Sequence, residues 1–146
     1  MLPVASFRDP DGCCFAWGKR ILRVVSPAAL AELDLFLASA AAAQFAAKRQ
    51  LVSTRKLSVG ELDELRRVEG FAALTRRHEL GAVFEHERVD FPSYPYEWPP
   101  EMLFAAGMLT LDLAQACLKG GYGLKDATPY NVLFRDGQPV FIDVLS

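Results

Sequence analysis

The chain has 146 residues, enough for one domain with a real core, and 51% of them are hydrophobic, which excludes a disordered tail or linker. A formal net charge of −2 and a pI of about 5.7 favour neither nucleic acid nor anionic membranes as partners. The three cysteines, adjacent Cys13 and Cys14 and distant Cys117, give neither a disulfide framework nor a metal-ligand spacing, so buried thiols in a reducing cytoplasm are expected.

Met1-Leu2-Pro3-Val4 has no basic region and no long apolar run behind it, so no secretory leader is expected. No stretch of about 18 uncharged apolar residues with membrane flanks stands out, and the Ala-rich run at 38–47 is too short and too weakly apolar to span. Phe7 to Gly12 reads as a turn, with Pro10 followed by Asp11-Gly12. Cys13 to Trp17 and Arg20 to Val25 then read as two strands joined at Gly18-Lys19, an antiparallel hairpin. Arg23 on the second strand fits a solvated strand charge as well as a phosphate-binding cation.

Ser26-Pro27 opens a helix, with Ser as cap and Pro in the first turn. Leu30, Leu33 and Leu37 recur at helical spacing, so one face is buried. Glu32 and Asp34 fit both a pair with Arg23 and ordinary solvated helix charges. The segment 38–47 either continues this helix or begins a second at Ser39. Leu51 to Thr54 is a candidate short strand. Ser58-Val59-Gly60-Glu61 has the form of a capping box ahead of Leu62 and Leu65. Phe71 to Leu80 is ambiguous. Ala82 to Val89 reads as a strand, continued in extended form over Phe91 to Tyr96 by Pro92 and Pro95. His78 and His86 lack partners at a metal-like spacing and read as ordinary surface or edge residues.

A long helix follows from Pro99 or Pro100 to about Lys119, ended by Gly120-Gly121. Met102, Leu103, Ala106, Leu109, Leu113, Ala116 and Cys117 give it a wide apolar face that Leu111 and Leu118 extend, so it is expected to be the central buried helix. Ahead of it, Tyr94, Tyr96 and Trp98 fit either the lining of a cleft or an aromatic plug in the core. After it, Val132 to Phe134 and Pro139 to Ile142 read as strands around Asp136-Gly137, a strong hairpin signal. The hairpin folds Asp143 back toward Asn131, and both can face Asp126. Two carboxylates and an amide oxygen are hard ligands suited to Mg²⁺ on nucleotide phosphates, and a carboxylate can accept a nucleophile's proton. The same residues also fit a hydrogen-bonded loop that caps a hairpin.

The run Asp126-x4-Asn131, strand, turn, strand, Asp143 resembles the catalytic loop and metal-binding aspartate of the protein-kinase-like superfamily. That resemblance implies a catalytic role for Asp126, metal ligation by Asn131 and Asp143, and an adenine cleft near Tyr94, Tyr96 and Trp98. Lys125 and Arg23 are the cations within its reach for phosphate. The chain departs from the pattern at Leu124, where a His is usual, at Leu145, where a Gly is usual, and in lacking a G-x-G-x-x-G loop. Weak Mg²⁺ and nucleotide binding is therefore what it implies.

Phe7-Arg8-Asp9-Pro10, Ser93 to Trp98, Leu124 to Asn131 and Pro139 to Asp143 together resemble the N-terminal, kinase-like region of bacterial class I S-adenosylmethionine-dependent methyltransferase proteins, nodulation-associated ones among them. The implied fold is α+β and protein-kinase-like. Residues 1–92 would form a small β-rich lobe with a packed helix. Residues 93–146 would form a hinge, a buried helix and a catalytic-loop-like hairpin, the start of an incomplete C-terminal lobe. The implied partner is a C-terminal methyltransferase domain of the same longer protein, and S-adenosylmethionine would bind there, because no E/D-x-G-x-G loop occurs in these residues. Three roles stay open: an accessory or substrate-positioning domain, an active small-molecule phosphotransferase, and a scaffold whose polar residues brace the loop. The abrupt end at Ser146 leads to the expectation of a fragment with exposed apolar surface.

Overall fold

The structure is a computed structural model that describes residues 11–145, with the backbone alone at Arg77. The turn expected at Phe7 to Gly12 lies outside the described residues up to Pro10, as does Ser146. The chain divides into two units, residues 11–32 with 54–88 and residues 33–53 with 89–145.

The first unit is built on a sheet. Strands β1 (Gly12–Trp17) and β2 (Arg20–Val25) form the expected hairpin, turned at Gly18 with φ +60°. A third strand, β3 (Thr54–Lys56), and a fourth, β4 (Ala82–His86), complete an antiparallel sheet of order β1-β2-β4-β3. Alternation along the strands sends Cys13, Phe15, Leu22, Val24 and Val83 to one face. There they pack with Leu65 of helix α3 (Val59–Arg66) and Phe71 and Leu74 of helix α4 (Phe71–Arg77). The ambiguous segment is thus a helix, because Phe71 and Leu74 stand three apart on its buried side. The capping box at α3 forms, with Glu61 N–H donating to Ser58 Oγ and Ser58 N–H to Glu61 Oε2.

Three expectations are corrected here. The short strand is Thr54–Lys56 rather than Leu51 to Thr54, because Leu51 bridges Phe141 instead. His86 is neither surface nor edge. β3 pairs outside β4, which makes β4 interior, and His86 is 6% exposed with Nδ1 2.9 Å from the Thr54 hydroxyl. Arg23 is not a solvated charge either. It sits in register between Cys14 and Phe84 and is 5% exposed.

A four-residue ion network ties β2, β3 and β4 to α3. Arg20 forks onto Glu85 at 2.7 and 2.9 Å and reaches Glu61 at 3.0 Å, and Arg55 bonds Glu61 at 2.7 and 3.0 Å and also Glu85. The Arg20 guanidinium lies 5.6 Å from the centroid of the Trp17 ring. The hydrogen bond from Arg55 holds the Glu61 carboxyl far below the usual range, and the one from Arg20 lowers that of Glu85. A depressed folded-state pKa gives stability that is present above the unfolded value and lost as pH falls through the folded one. The first unit is therefore expected to lose stability as pH drops below about 4.3, the ordinary glutamate value. Glu61→Gln should flatten that slope in pH-dependent urea unfolding; an unchanged slope would deny the network its role. The effect is small, because Arg55 is mostly exposed and water screens the pair.

Helix α1 (Pro27–Leu37) is capped by Ser26, whose Oγ accepts from Ala29 N–H. It ends before Ser39, which caps a separate helix α2 (Ala40–Ala47) by accepting from Ala42 N–H at 3.1 Å. In the second unit, α2 buries Ala41, Ala42 and Phe45. Helix α5 (Pro100–Lys119) has the expected limits, with Gly120 at its C-cap and Gly121 in the left-handed region at φ +83°. Strands β5 (Val132–Arg135) and β6 (Gln138–Phe141) form the expected hairpin, with Asp136 at φ +52° and Gly137 at φ +75°. Both turn residues are left-handed, as a two-residue turn that matches strand twist requires.

Residues 33–53 join this unit rather than the N-terminal one because backbone bonds tie them to β6. Val52 N–H donates to Phe141 O at 2.9 Å, and Phe141 N–H to Gln50 O at 2.8 Å. Arg135 Nη2 adds a bond to Arg49 O, where the chain leaves α2 in a left-handed turn.

α5 buries a narrower stripe than the wide apolar face expected of it. Ala106, Leu109, Leu113 and Cys117 are buried, and the helix packs against α2 and β6. Leu103, Phe104, Met108, Leu111 and Leu118 are exposed. α5 is long and apolar enough to cross a membrane by length and composition, although it carries Glu101, Asp112 and Lys119; a core helix of a soluble protein passes the same test.

Candidate functional site

The segment 120–131 is a loop that closes into a single 3₁₀ turn, Pro129–Asn131, immediately before β5. Pro129 suits the first position of such a turn, where no N–H is needed. Asn131 then ties the loop together. Its Nδ2 donates to the Asp126 carbonyl at 2.6 Å, its Oδ1 accepts from the Thr128 hydroxyl at 3.0 Å, and its backbone N–H donates to Thr128 O. Its carbonyl accepts from Ile142 N–H at 2.8 Å, which extends the β5–β6 pairing by one step and places Asp143 next to that bond. Asp143 in turn accepts from Leu145 N–H at 3.2 Å. Asp126 and Lys125 are exposed in the loop, whereas Asn131 and Asp143 are half-buried.

Trp98 approaches the same hairpin. It meets Phe134 of β5 edge-on at 5.0 Å, and its indole N–H donates to Ser93 Oγ at 2.9 Å. Tyr94 caps a 3₁₀ turn (Pro95–Glu97) that contains Tyr96, instead of the two continuing an extended strand. They stack on each other at 5.9 Å and are 42% and 76% exposed, so the core-plug alternative does not hold for them. Arg23 belongs to the first unit.

Sequence reasoning overlooked Thr128 and Ser93. Thr128 stands three residues before Asn131 and just before a proline, a spacing at which side chains bond across a turn. Ser93 carried no comparable signal, because its partner is a ring nitrogen five residues on.

The donor chemistry fits Mg²⁺ only loosely. Carboxylate and amide oxygens are hard ligands, and this ion keeps several of its waters. The Asn131 amide, however, is committed to local bonds at both ends, and no group of three His, Cys, Asp or Glu among the described residues is placed to hold a metal ion. The second unit also has a cleft of about 670 Å³ between α2 and α5, lined by Gln44, Lys48, Asp112, Gln115, Lys119 and Tyr122 among others. None of its lining residues comes from the Asp126–Asp143 segment.

With this geometry in hand, comparison with known proteins gives one informative likeness. The chain resembles part of a nodulation protein. It is 37% identical over 146 residues to nodulation protein NoeA of Rhizobium meliloti (strain 1021), covering 97% of this chain and 27% of that protein. The chain thus spans about a quarter of the length of the curated relative it matches. No family model matches it, and no solved structure does.

Proposed function

We propose that this chain is a kinase-like accessory domain of a longer, cytoplasmic bacterial methyltransferase, in which it positions a small-molecule substrate for methyl transfer carried out elsewhere in the polypeptide. Its likeness to a quarter of a much longer nodulation protein supports a role as one domain among several. The observation that carries the accessory reading is the bonding of Asn131. Its amide holds the Asp126 carbonyl and the Thr128 hydroxyl, so it braces the loop that a phosphotransferase would use for metal. Asp143 and Asn131 are the residues that would hold Mg²⁺, and the ion would supply charge neutralisation for phosphate. S-adenosylmethionine would be bound outside these residues.

The test is calorimetric titration of ATP, with and without Mg²⁺, into the wild-type chain and Asp143→Ala. Binding weaker than about 1 mM is expected in every case, roughly −4 kcal/mol or less favourable. Micromolar, Mg²⁺-dependent binding that Asp143→Ala abolishes would overturn the accessory role in favour of an active phosphotransferase.

A further inference from the structure

Along α5, Phe104, Met108, Leu111 and Leu118 follow one another at steps of four, three and seven residues, a 3.5-residue period that keeps them on one line of the helix. They are 71%, 41%, 57% and 67% exposed. Gln115, also exposed, falls on this line between Leu111 and Leu118, so the unbroken apolar stretch is Phe104, Met108 and Leu111. Single exposed leucines need no explanation, but such a stretch marks an interaction surface. Gly107 lies beside the row, and a Cβ built there would meet nothing within 4 Å, so another backbone can come close. Asp112 and Lys119, both exposed, lie to the α2 side of the row, where they line the cleft between α2 and α5.

We propose that this row seats the apolar face of an amphipathic helix from the remainder of the longer polypeptide. The inference rests on the proposed role as one domain of a longer protein. It commits to that occupant because nearly three-quarters of the length of NoeA lies outside the match, ample chain to supply such a helix.

Thiol accessibility tests it. Leu111→Cys is made in the 146-residue chain and in a fusion in which the chain replaces the matched region of NoeA, and maleimide modification is followed peptide by peptide. The expected result is fast modification in the chain alone and modification slowed by about tenfold or more in the fusion. Ala72→Cys, on an exposed position of α4, should react equally in both. Phe104→Cys gives a second reading of the same row, and the remainder of NoeA added in trans serves if the fusion does not fold. Equal rates at 111 and 104 in both proteins would overturn the proposal while leaving the accessory role, which fails or stands on the nucleotide titration. Protection in the chain alone that rises with concentration, with dimers in sedimentation, would overturn it in favour of a second copy. Protection on adding phosphatidylcholine vesicles would overturn it in favour of a membrane surface.

Discussion

Replacing Phe15 with alanine is expected to destabilise the first unit by about 3–5 kcal/mol. Phe15 is fully buried, its ring lies 6.1 Å from that of Phe71, and it joins the sheet to α3 and α4. Removing it takes away the transfer free energy of a large side chain and leaves a cavity that two short helices and a four-stranded sheet cannot fully close. Domains of this size have about 5–15 kcal/mol in total, so a loss of that order brings the unit close to unfolding at room temperature. The two tryptophans allow a clean reading. Trp17 lies in the first unit and Trp98 in the second, so urea unfolding of Phe15→Ala in a Trp98→Phe background reports the first unit alone. A loss below about 1 kcal/mol would mean that the packing of Phe15 between sheet and helices is not what holds this unit together.

The second large effect is a contrast on α5. Leu113→Ala is expected to cost about 2–5 kcal/mol, whereas Leu111→Ala should stay within about 0.5 kcal/mol. Leu113 is fully buried and Leu111 is 57% exposed, two residues away on the far side of the same helix. Unfolding followed by Trp98 fluorescence, in a Trp17→Phe background, measures both. Equal costs would show that the outer face of α5 is covered in solution by another copy of the chain, and the oligomeric state would then have to be measured with them.

That contrast also shows how far the residues themselves could be read. The limits of α5 were legible because proline and glycine punctuate them. Its buried stripe was legible too, since Ala106, Leu109, Leu113 and Cys117 all belong to the expected apolar face. The exposure of Leu103, Leu111 and Leu118 was not, because apolar residues occur all round the helix and composition alone cannot say how wide a face meets α2 and β6. Both hairpins were legible from two-residue turns whose glycines take positive φ. The interior position of β4 was not, since it depends on β3 pairing beyond it, and that pairing buries His86. At the candidate site, the turn at Asp136-Gly137 told in advance that the chain would return Asp143 toward Asn131. What the Asn131 amide would bond to depended on Thr128 and on the loop's own carbonyls, and no spacing rule chooses between those and a metal ion.

The bond between Val52 and Phe141 has a consequence for synthesis. Residue 52 leaves the ribosome about ninety residues before its partner exists, roughly 5–20 s at ordinary elongation rates. Throughout that interval Phe45, Leu51 and Val52, all buried in the finished protein, have no strand to rest against. The strands and helices of the first unit, by contrast, are complete by His86 and can assemble first. The nascent chain should therefore carry a finished sheet and an unfinished apolar segment at once, and that segment is where a chaperone would find its first hold.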